Sequence, residues 1–262
     1  YVDDITPYTH GPHPARVITQ VARGTDHLVH VLEADYDLEV SSKKSCAIAS
    51  SPKLAQHVAH FCRSRKVVAK RSSKLLGSSI GGGRKRSVRH LTKRLHDARA
   101  KTQRIHSLRR AGVRITPIVR AAITPAITYA IECVGASNTH LHNMRVAVAH
   151  AAAAEARGKN PDLVLWTADA DTGTMDSAFD AHVLPLKFWA YAVWQQRRPP
   201  DVLDAVIHNV RAKLDASKSS WAVTTGPVAV LLNSMWRIGW EIHSFAAIVD
   251  DRGQTFDLRM DP

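Results

Sequence analysis

A long amphipathic segment in the middle of the chain constrains its fold more than any other feature. From Val88 to Leu108 apolar residues recur at steps of three and four, and arginines and lysines occupy positions between them. This spacing is typical of a helix with one apolar and one polar face. The sequence therefore predicts a single long helix over residues 86–109, ended by Gly112, with its apolar side against a core.

The charge around this helix is one-sided. Between Arg63 and Arg120 stand 19 of the 36 lysines and arginines but only one acid, Asp97, and the chain has a formal net charge of +13. Pairing along a helix cannot offset such an excess, whereas phosphates would relieve the repulsion and release counterions. We therefore expect contact with nucleic acid, and the cations that we expect to make it are Arg84, Lys85, Arg86, Arg89, Lys93, Lys101 and Arg104.

Patterns elsewhere predict a mainly helical α+β chain. Helical spacing and helix-starting prolines predict helices over residues 14–32, 52–62, 116–134, 141–156, 184–196, 201–216 and 227–239. Alternation and turn residues predict strands or hairpins over 1–9, 37–49, 65–83 and 246–259, with a loop over 159–176. The basic block divides the chain into three expected parts, 1–80, 81–158 and 159–262.

Two adjacent aspartates stand at the beginning of the sequence, in the stretch Tyr1-Val2-Asp3-Asp4. Adjacent like charges need neutralisation, and a metal ion would provide it. A plain turn is the other explanation, because aspartate is common in turns. A second acid pair, Asp250-Asp251, is expected to be only a turn.

Three further motifs follow these acids in order. They are Ser41-x-x-Lys44-Ser45, then Leu75-Leu76-Gly77 before the basic helix, and Pro125-Ala-Ile-Thr-Tyr129-Ala130-Ile-Glu132 after it. Together with Tyr-x-Asp-Asp, the series over residues 1–158 resembles reverse transcriptases, in particular those of non-LTR retrotransposons and group II introns. The chain departs from that family at Ser41, where Asn is usual, and at Ala130, where Gly is usual.

The resemblance implies a fold for each part of the chain. Residues 1–80 would be the C-terminal part of a polymerase palm, with a β-hairpin and helices, and residues 81–158 a basic helical thumb. Residues 159–262 would be a helical C-terminal region ending in a β-hairpin, and no role is implied for them.

The resemblance also implies a chemistry, RNA-directed DNA synthesis. Asp3 and Asp4 would be catalytic ligands of two Mg²⁺ ions, and Lys44 would face the triphosphate as a third catalytic group. The neighbours of the primer terminus and the nucleotide would be Tyr1, Val2, Leu76 and Gly77. An RNA template and a DNA primer would be the partners, and nucleoside triphosphates the only other small molecules. The family's further carboxylate lies upstream, so we expect this chain alone to be inactive.

A second class of protein remains open, a non-catalytic basic nucleic-acid-binding protein whose acid pair is a turn. Such a protein should bind nucleic acid equally well with and without Mg²⁺. Lys44 is equally well explained as a solvated strand lysine.

Cysteine and apolar patterns indicate the compartment. Three scattered cysteines favour a reducing, intracellular setting, and Arg84-Lys85-Arg86 is typical of a nuclear import patch. No apolar run approaches the ~20 residues of a membrane span, so no membrane partner is expected.

Other suggestive patterns are better explained by structure than by chemistry. His57-x-x-His60-x-Cys62 has no second ligand pair at zinc spacing. The stretch from Asp169 through Asp171 to Gly173 begins like a calcium loop but lacks its later glycine and glutamate. The tryptophans expected to pack in the core or between helices are Trp189, Trp194, Trp221, Trp236 and Trp240.

Overall fold

Two compact units, residues 1–87 and 88–262, make up the chain in the computed structural model. The structure describes residues 5–75, 78–83, 85–170 and 172–260. Both units contain helices and short strands, so the chain is a mainly helical α+β protein, as predicted. The division lies close to the expected one at residue 80, but no second division appears near residue 158.

Unit 1 packs two helices against each other beside short strands. Its core joins Ile18 and Ala22 of the first helix to Val58 and Cys62 at the second. Both helices begin with proline, as predicted, and the Ser51 hydroxyl accepts a hydrogen bond from the amide of Leu54 at 3.2 Å. The elements are α1 (Pro14–His30), β1 (Cys46–Ala47), α2 (Pro52–Phe61), β2 (Val68–Ala69), β3 (Ser72–Leu75) and β4 (Ser78–Gly81).

Strand pairing in unit 1 matches the sequence only in part. The strands β3 and β4 form the expected antiparallel hairpin, whereas β2 pairs in parallel with β1. Of the strand or strand pair expected over residues 37–49, the described residues form a strand at Cys46–Ala47 only. The hairpin expected over 1–9 is wrong in its second half, because residues 5–9 form no strand. Pro7 has no amide hydrogen for a ladder, and Tyr1–Asp4 lie outside the described residues.

Unit 2 is built around the predicted long helix. Its buried side chains Leu91, Leu95, Ala98 and Ile105 lie in one hydrophobic core with those of α7. A second core joins α9, α10 and α12 to a three-stranded antiparallel sheet in the order β5-β6-β7. The elements are α3 (Arg89–Arg110), α4 (Thr116–Ile118), α5 (Thr124–Thr128), α6 (Ile131–Val134), α7 (Asn138–Ala152), α8 (Pro161–Ala168), α9 (Ser177–Trp194), α10 (Pro200–Asp215), α11 (Ser220–Val223), α12 (Pro227–Arg237), β5 (Glu241–Ile242), β6 (Ala247–Val249) and β7 (Thr255–Asp257).

The helix α7 explains why no boundary falls near residue 158. It belongs to the second expected part, yet it packs against α8 and α9 of the third as well as against α3. The loop expected over 159–176 also contains α8, which Asn160 caps by accepting a hydrogen bond from the amide of Asp162 at 2.8 Å.

Pro125 predicts an interruption of the helix expected over 116–134, but the helix is broken further along. Pro125 lies in the first turn of α5, where a missing amide hydrogen is tolerated, and a π-helical turn (Val119–Ile123) precedes it. The chain direction changes instead at Tyr129 and Ala130, between α5 and α6.

By length and composition, Thr116–Val134 is apolar enough to cross a membrane. Here it supplies Val119, Ile123, Ile127 and Ile131 to the core.

Candidate nucleic-acid interface

The exposed side of α3 carries four of the predicted cations. Arg89, Lys93, Lys101 and Arg104 are all exposed, and none takes part in the salt bridges among the described residues. At 100° per residue, Arg89, Lys93 and Arg104 project within about 60° of one another, and Lys101 about 60° further round the helix. These four residues, hereafter the α3 basic face, form one cationic strip, and the exposed Asp97, about 80° round the helix from Arg89, is the one acid within it.

Packing on the opposite side of α3 keeps the α3 basic face directed outwards. The buried stripe from Leu91 to Ile105 fixes the helix rotation against α7. Polar contacts along the flank add to it: Arg99 donates to the Asn143 side chain at 3.4 Å, and Nε2 of His106 lies 2.6 Å from the carbonyl oxygen of His150. The basic face therefore cannot turn inwards without unpacking the core.

A shallow groove of about 290 Å³ runs between α3 and α5. On its α3 side, Arg94 donates to the backbone carbonyl of Tyr129 at 2.6 Å, and its guanidinium lies 4.8 Å from the centre of the Tyr129 ring. Burial lowers the pKa of Arg94. Tyr129 itself is 53% exposed, so an aromatic ring borders the groove that Lys101 and Asp97 also line. Sequence reasoning missed this groove because its two walls are 35 residues apart.

The turn that presents Tyr129 has an unusual residue at its second position. Tyr129 (φ −52°, ψ 128°) and Ala130 (φ 58°, ψ 25°) have the dihedral angles of a type II turn. The left-handed conformation at Ala130 favours glycine. It falls at the position where the resemblance to reverse transcriptases expects glycine.

The three basic residues before α3 differ in accessibility. Lys85 is exposed, and Arg84 lies outside the described residues. Arg86 is partly buried, and this burial lowers its pKa to about 10. Arg86 keeps its charge at neutral pH but is less accessible than the α3 basic face.

Most of the residues expected at the catalytic centre fall outside the described residues. These are Tyr1, Val2, Asp3, Asp4, Leu76 and Gly77. Lys44 is described: it is exposed, and it stands in a turn closed by its own amide on the Ser41 carbonyl at 3.2 Å, just before β1. Within the described ranges, no group of three or more histidine, cysteine or acidic side chains could hold a metal ion.

Asp169, which begins the stretch resembling a calcium loop, is instead a buried structural anchor. Its carboxylate pairs with Arg120 and accepts hydrogen bonds from the amide of Met175 at 2.7 Å and the hydroxyl of Thr172 at 2.9 Å. Burial alone would raise the pKa of Asp169, but these partners outweigh it and hold the pKa below its usual value. Three protein donors therefore occupy the carboxylate, two on Oδ1 and one on Oδ2.

Arg145 joins the same region through two more acids. It donates two hydrogen bonds to Asp176 through Nε and Nη2, at 2.9 and 2.6 Å, and pairs with Asp162 at 2.5 Å. Asp176 also caps α9 by accepting from the amide of Ala178 at 2.9 Å. Asp162 and Asp176 therefore hold α7, α8 and α9 together through Arg145.

The fold and the site define a mainly helical α+β protein with an exposed cationic helix. The chain matches no protein-family model, and no curated protein or solved structure shows significant similarity to it.

Proposed function

We propose that this chain carries the end of the palm and the thumb of an RNA-directed DNA polymerase of a retroelement. The observation that carries the proposal is the α3 basic face, four exposed cations that join no salt bridge among the described residues and are held outwards on one helix. It is supported by its place in the chain, after Tyr-x-Asp-Asp and before the left-handed turn at Tyr129-Ala130.

The α3 basic face would hold the template–primer hybrid. Its cations carry no base-reading geometry, so they would contact phosphates and bind all sequences alike. Tyr129, beside Lys101 and Arg94, would border the same strand.

The nucleotide-addition step would be carried by the acid pair and Lys44. Asp3 and Asp4 are the carboxylates that would hold Mg²⁺, and Lys44, exposed in its turn, is free to approach a triphosphate. When bound, two Mg²⁺ ions would lower the pKa of the primer hydroxyl and stabilise the leaving pyrophosphate.

Primer extension tests this function. The protein, expressed from its complete reading frame, is given an RNA template, a DNA primer, four deoxynucleotides and Mg²⁺. Asp3→Ala should reduce extension to background, whereas Asp251→Ala, a change in the other acid pair, should leave it intact. Undiminished extension by Asp3→Ala, or none by the parent protein, would contradict the proposal.

A non-catalytic nucleic-acid-binding protein is the second candidate. The α3 basic face favours this second candidate, because its cations attract phosphates without any catalytic group. Such a protein would bind a hybrid equally well in Mg²⁺ and in chelator, and it would add no nucleotide to the primer.

A further inference from the structure

The helix α9 has aromatic residues on two sides, one buried and one exposed. On the buried side, Trp189 lies in the second core, and its Nε1 donates to the carbonyl of Phe245 at 2.8 Å. On the other side, Phe188, Tyr191 and Trp194 follow at steps of three and are 37%, 55% and 38% exposed. Trp189 therefore lies in the core, as predicted, whereas Trp194, also expected to pack in the core or between helices, is 38% exposed.

The exposed rings lie on one side of α9, and two of them are neighbours. Three residues of helix advance about 4.5 Å, and the Tyr191 and Trp194 rings lie with their centroids 6.1 Å apart at an interplanar angle of 56°. Each of these three rings leaves apolar area in water that folding would otherwise bury. Packing within this chain therefore does not explain why three aromatic residues stand on the same solvent-facing side, whereas a binding surface would.

The surroundings of these rings are cationic. From Val183 to Arg198 the sequence has three cations and no acid. Lys187, Arg197 and Arg198 are exposed, and no salt bridge in the described part of the chain involves them. Arg197 donates to its neighbour Gln195 at 2.7 Å, a contact that leaves its charge unneutralised.

We propose that Phe188, Tyr191 and Trp194, with Lys187, Arg197 and Arg198, bind an unpaired nucleic-acid strand. We call these six residues the α9 stacking surface. Rings offer platforms on which bases stack regardless of sequence, and flanking cations attract phosphates. Base faces are hidden in a duplex but accessible in a single strand, so this surface suits a different ligand from the α3 basic face. The absence of acids from 183–198 argues for a polyanion rather than for an ordinary protein partner.

This inference goes beyond the proposed function and does not depend on it. Stacking does not involve the sugar, so single-stranded RNA and DNA should bind alike.

Fluorescence anisotropy with three strands of equal length tests the surface: oligo(U), oligo(dT) and an abasic strand that has phosphates but no bases. The variant Tyr191→Ala/Trp194→Ala of the full chain should raise the Kd for oligo(U) and oligo(dT) about thirtyfold, the lower end of what the loss of two stacked bases produces. Its Kd for the abasic strand should not change. Trp166→Ala, which removes another exposed tryptophan (69% exposed) on α8, is the matched control and should bind as the parent does.

Two further variants separate stacking from charge and from misfolding. Tyr191→Phe/Trp194→Phe keeps the rings and should retain parental affinity. Lys187→Gln/Arg198→Gln should lower the salt slope on all three strands by about 1.4, at about 0.7 per contact on a single strand.

Hybrid-duplex binding reports whether the Tyr191→Ala/Trp194→Ala variant is folded and whether the α3 basic face still works. An unchanged Kd for oligo(U) and oligo(dT), or an equal loss on the abasic strand, would overturn the inference while leaving the proposed function untouched. The single variant Tyr191→Ala provides one more test. If it lost binding to the hybrid duplex but bound single strands as the parent does, the inference would also be overturned.

Discussion

At the scale of single residues, Ala130 shows a mismatch between a backbone conformation and its side chain. Its φ of 58° is a conformation that L-residues with a Cβ adopt at a cost of about 1–2 kcal/mol. The turn is nevertheless formed because α5 and α6 on either side are anchored by the buried residues Ile127 and Ile131. The flanking core thus imposes the turn on an unfavourable residue.

Ala130→Gly should therefore stabilise unit 2. Removing the strain of the left-handed conformation outweighs the greater freedom of glycine in the unfolded chain, and we expect a gain of about 0.5 kcal/mol in the free energy of unfolding. Ala100→Gly is the matched control, since Ala100 is exposed in the middle of α3. There the same change should cost about 1 kcal/mol. Urea unfolding measures both, and a loss of stability in Ala130→Gly would contradict the assigned turn.

Asp169 is a residue whose charge partner lies far from it in the sequence. Its side chain is 2% exposed, and Arg120, its charge partner, is 49 positions away. No local pattern links such a pair, which is why the sequence indicated only the beginning of a metal loop. The three donors found around it make it a tie between α8, α9 and the segment before α5.

Asp169→Asn should destabilise the protein by about 2 kcal/mol, because it leaves buried donors poorly matched. The pKa of Asp169 is lowered in the folded state, so its contribution is complete above the ordinary aspartate pKa of 3.8 and is lost as pH falls through the folded value. The difference in unfolding free energy between parent and Asp169→Asn should therefore shrink below about pH 4. Asp251→Asn, at an exposed position, should show no such difference at any pH.

At the scale of elements, α3 was the most predictable part of the molecule. Its period, its terminating glycine and the exposure of its cations all follow from spacing along one helix, and Gly112 has the expected left-handed φ of 82°. Its function as a phosphate-binding surface stays a prediction.

Replacing Arg89, Lys93, Lys101 and Arg104 with Gln should weaken hybrid binding mainly at low salt. The logarithmic salt slope should fall by about 3.6, at about 0.9 per phosphate contact on a duplex. A control variant carries Gln at Lys213, Lys218 and Arg252, exposed cations of α10 and the regions after it, and it should keep the parental slope. If both variants changed the slope alike, net charge rather than the α3 basic face would be responsible.

Elements that depend on distant partners could not be predicted. Two examples are the pairing of β1 with β2 and the pairing of β5 with β6. These strands are too short for an alternation of apolar and polar residues to predict them. The helix α8 was missed for another reason: its sequence is almost uniformly apolar and has no clear helical period. Its Asn160 cap followed by Pro161 is a start signal that could have revealed it.

At the scale of the whole molecule, three features of the chain bear on its function: an acid pair, an outward basic helix and a second, aromatic cationic surface. The described residues include the second and third, both in unit 2. The acid pair Asp3-Asp4 was found only in the sequence, and the role proposed for it rests on a motif order that resembles that of reverse transcriptases. The central proposal is therefore that this pair acts at the 3′ end of a DNA primer.

Iron-directed cleavage tests that claim most directly. Fe²⁺ replaces Mg²⁺ in the protein expressed from its complete reading frame and bound to an RNA–DNA hybrid. Added hydrogen peroxide oxidises the bound Fe²⁺ to Fe³⁺, and the hydroxyl radicals released with hydroxide cut the nearest nucleotides. We expect cuts confined to the region of the primer terminus, lost in Asp3→Asn/Asp4→Asn and retained in the matched pair Asp250→Asn/Asp251→Asn. Cuts spread evenly along the hybrid, or unchanged cuts in Asp3→Asn/Asp4→Asn, would contradict the account.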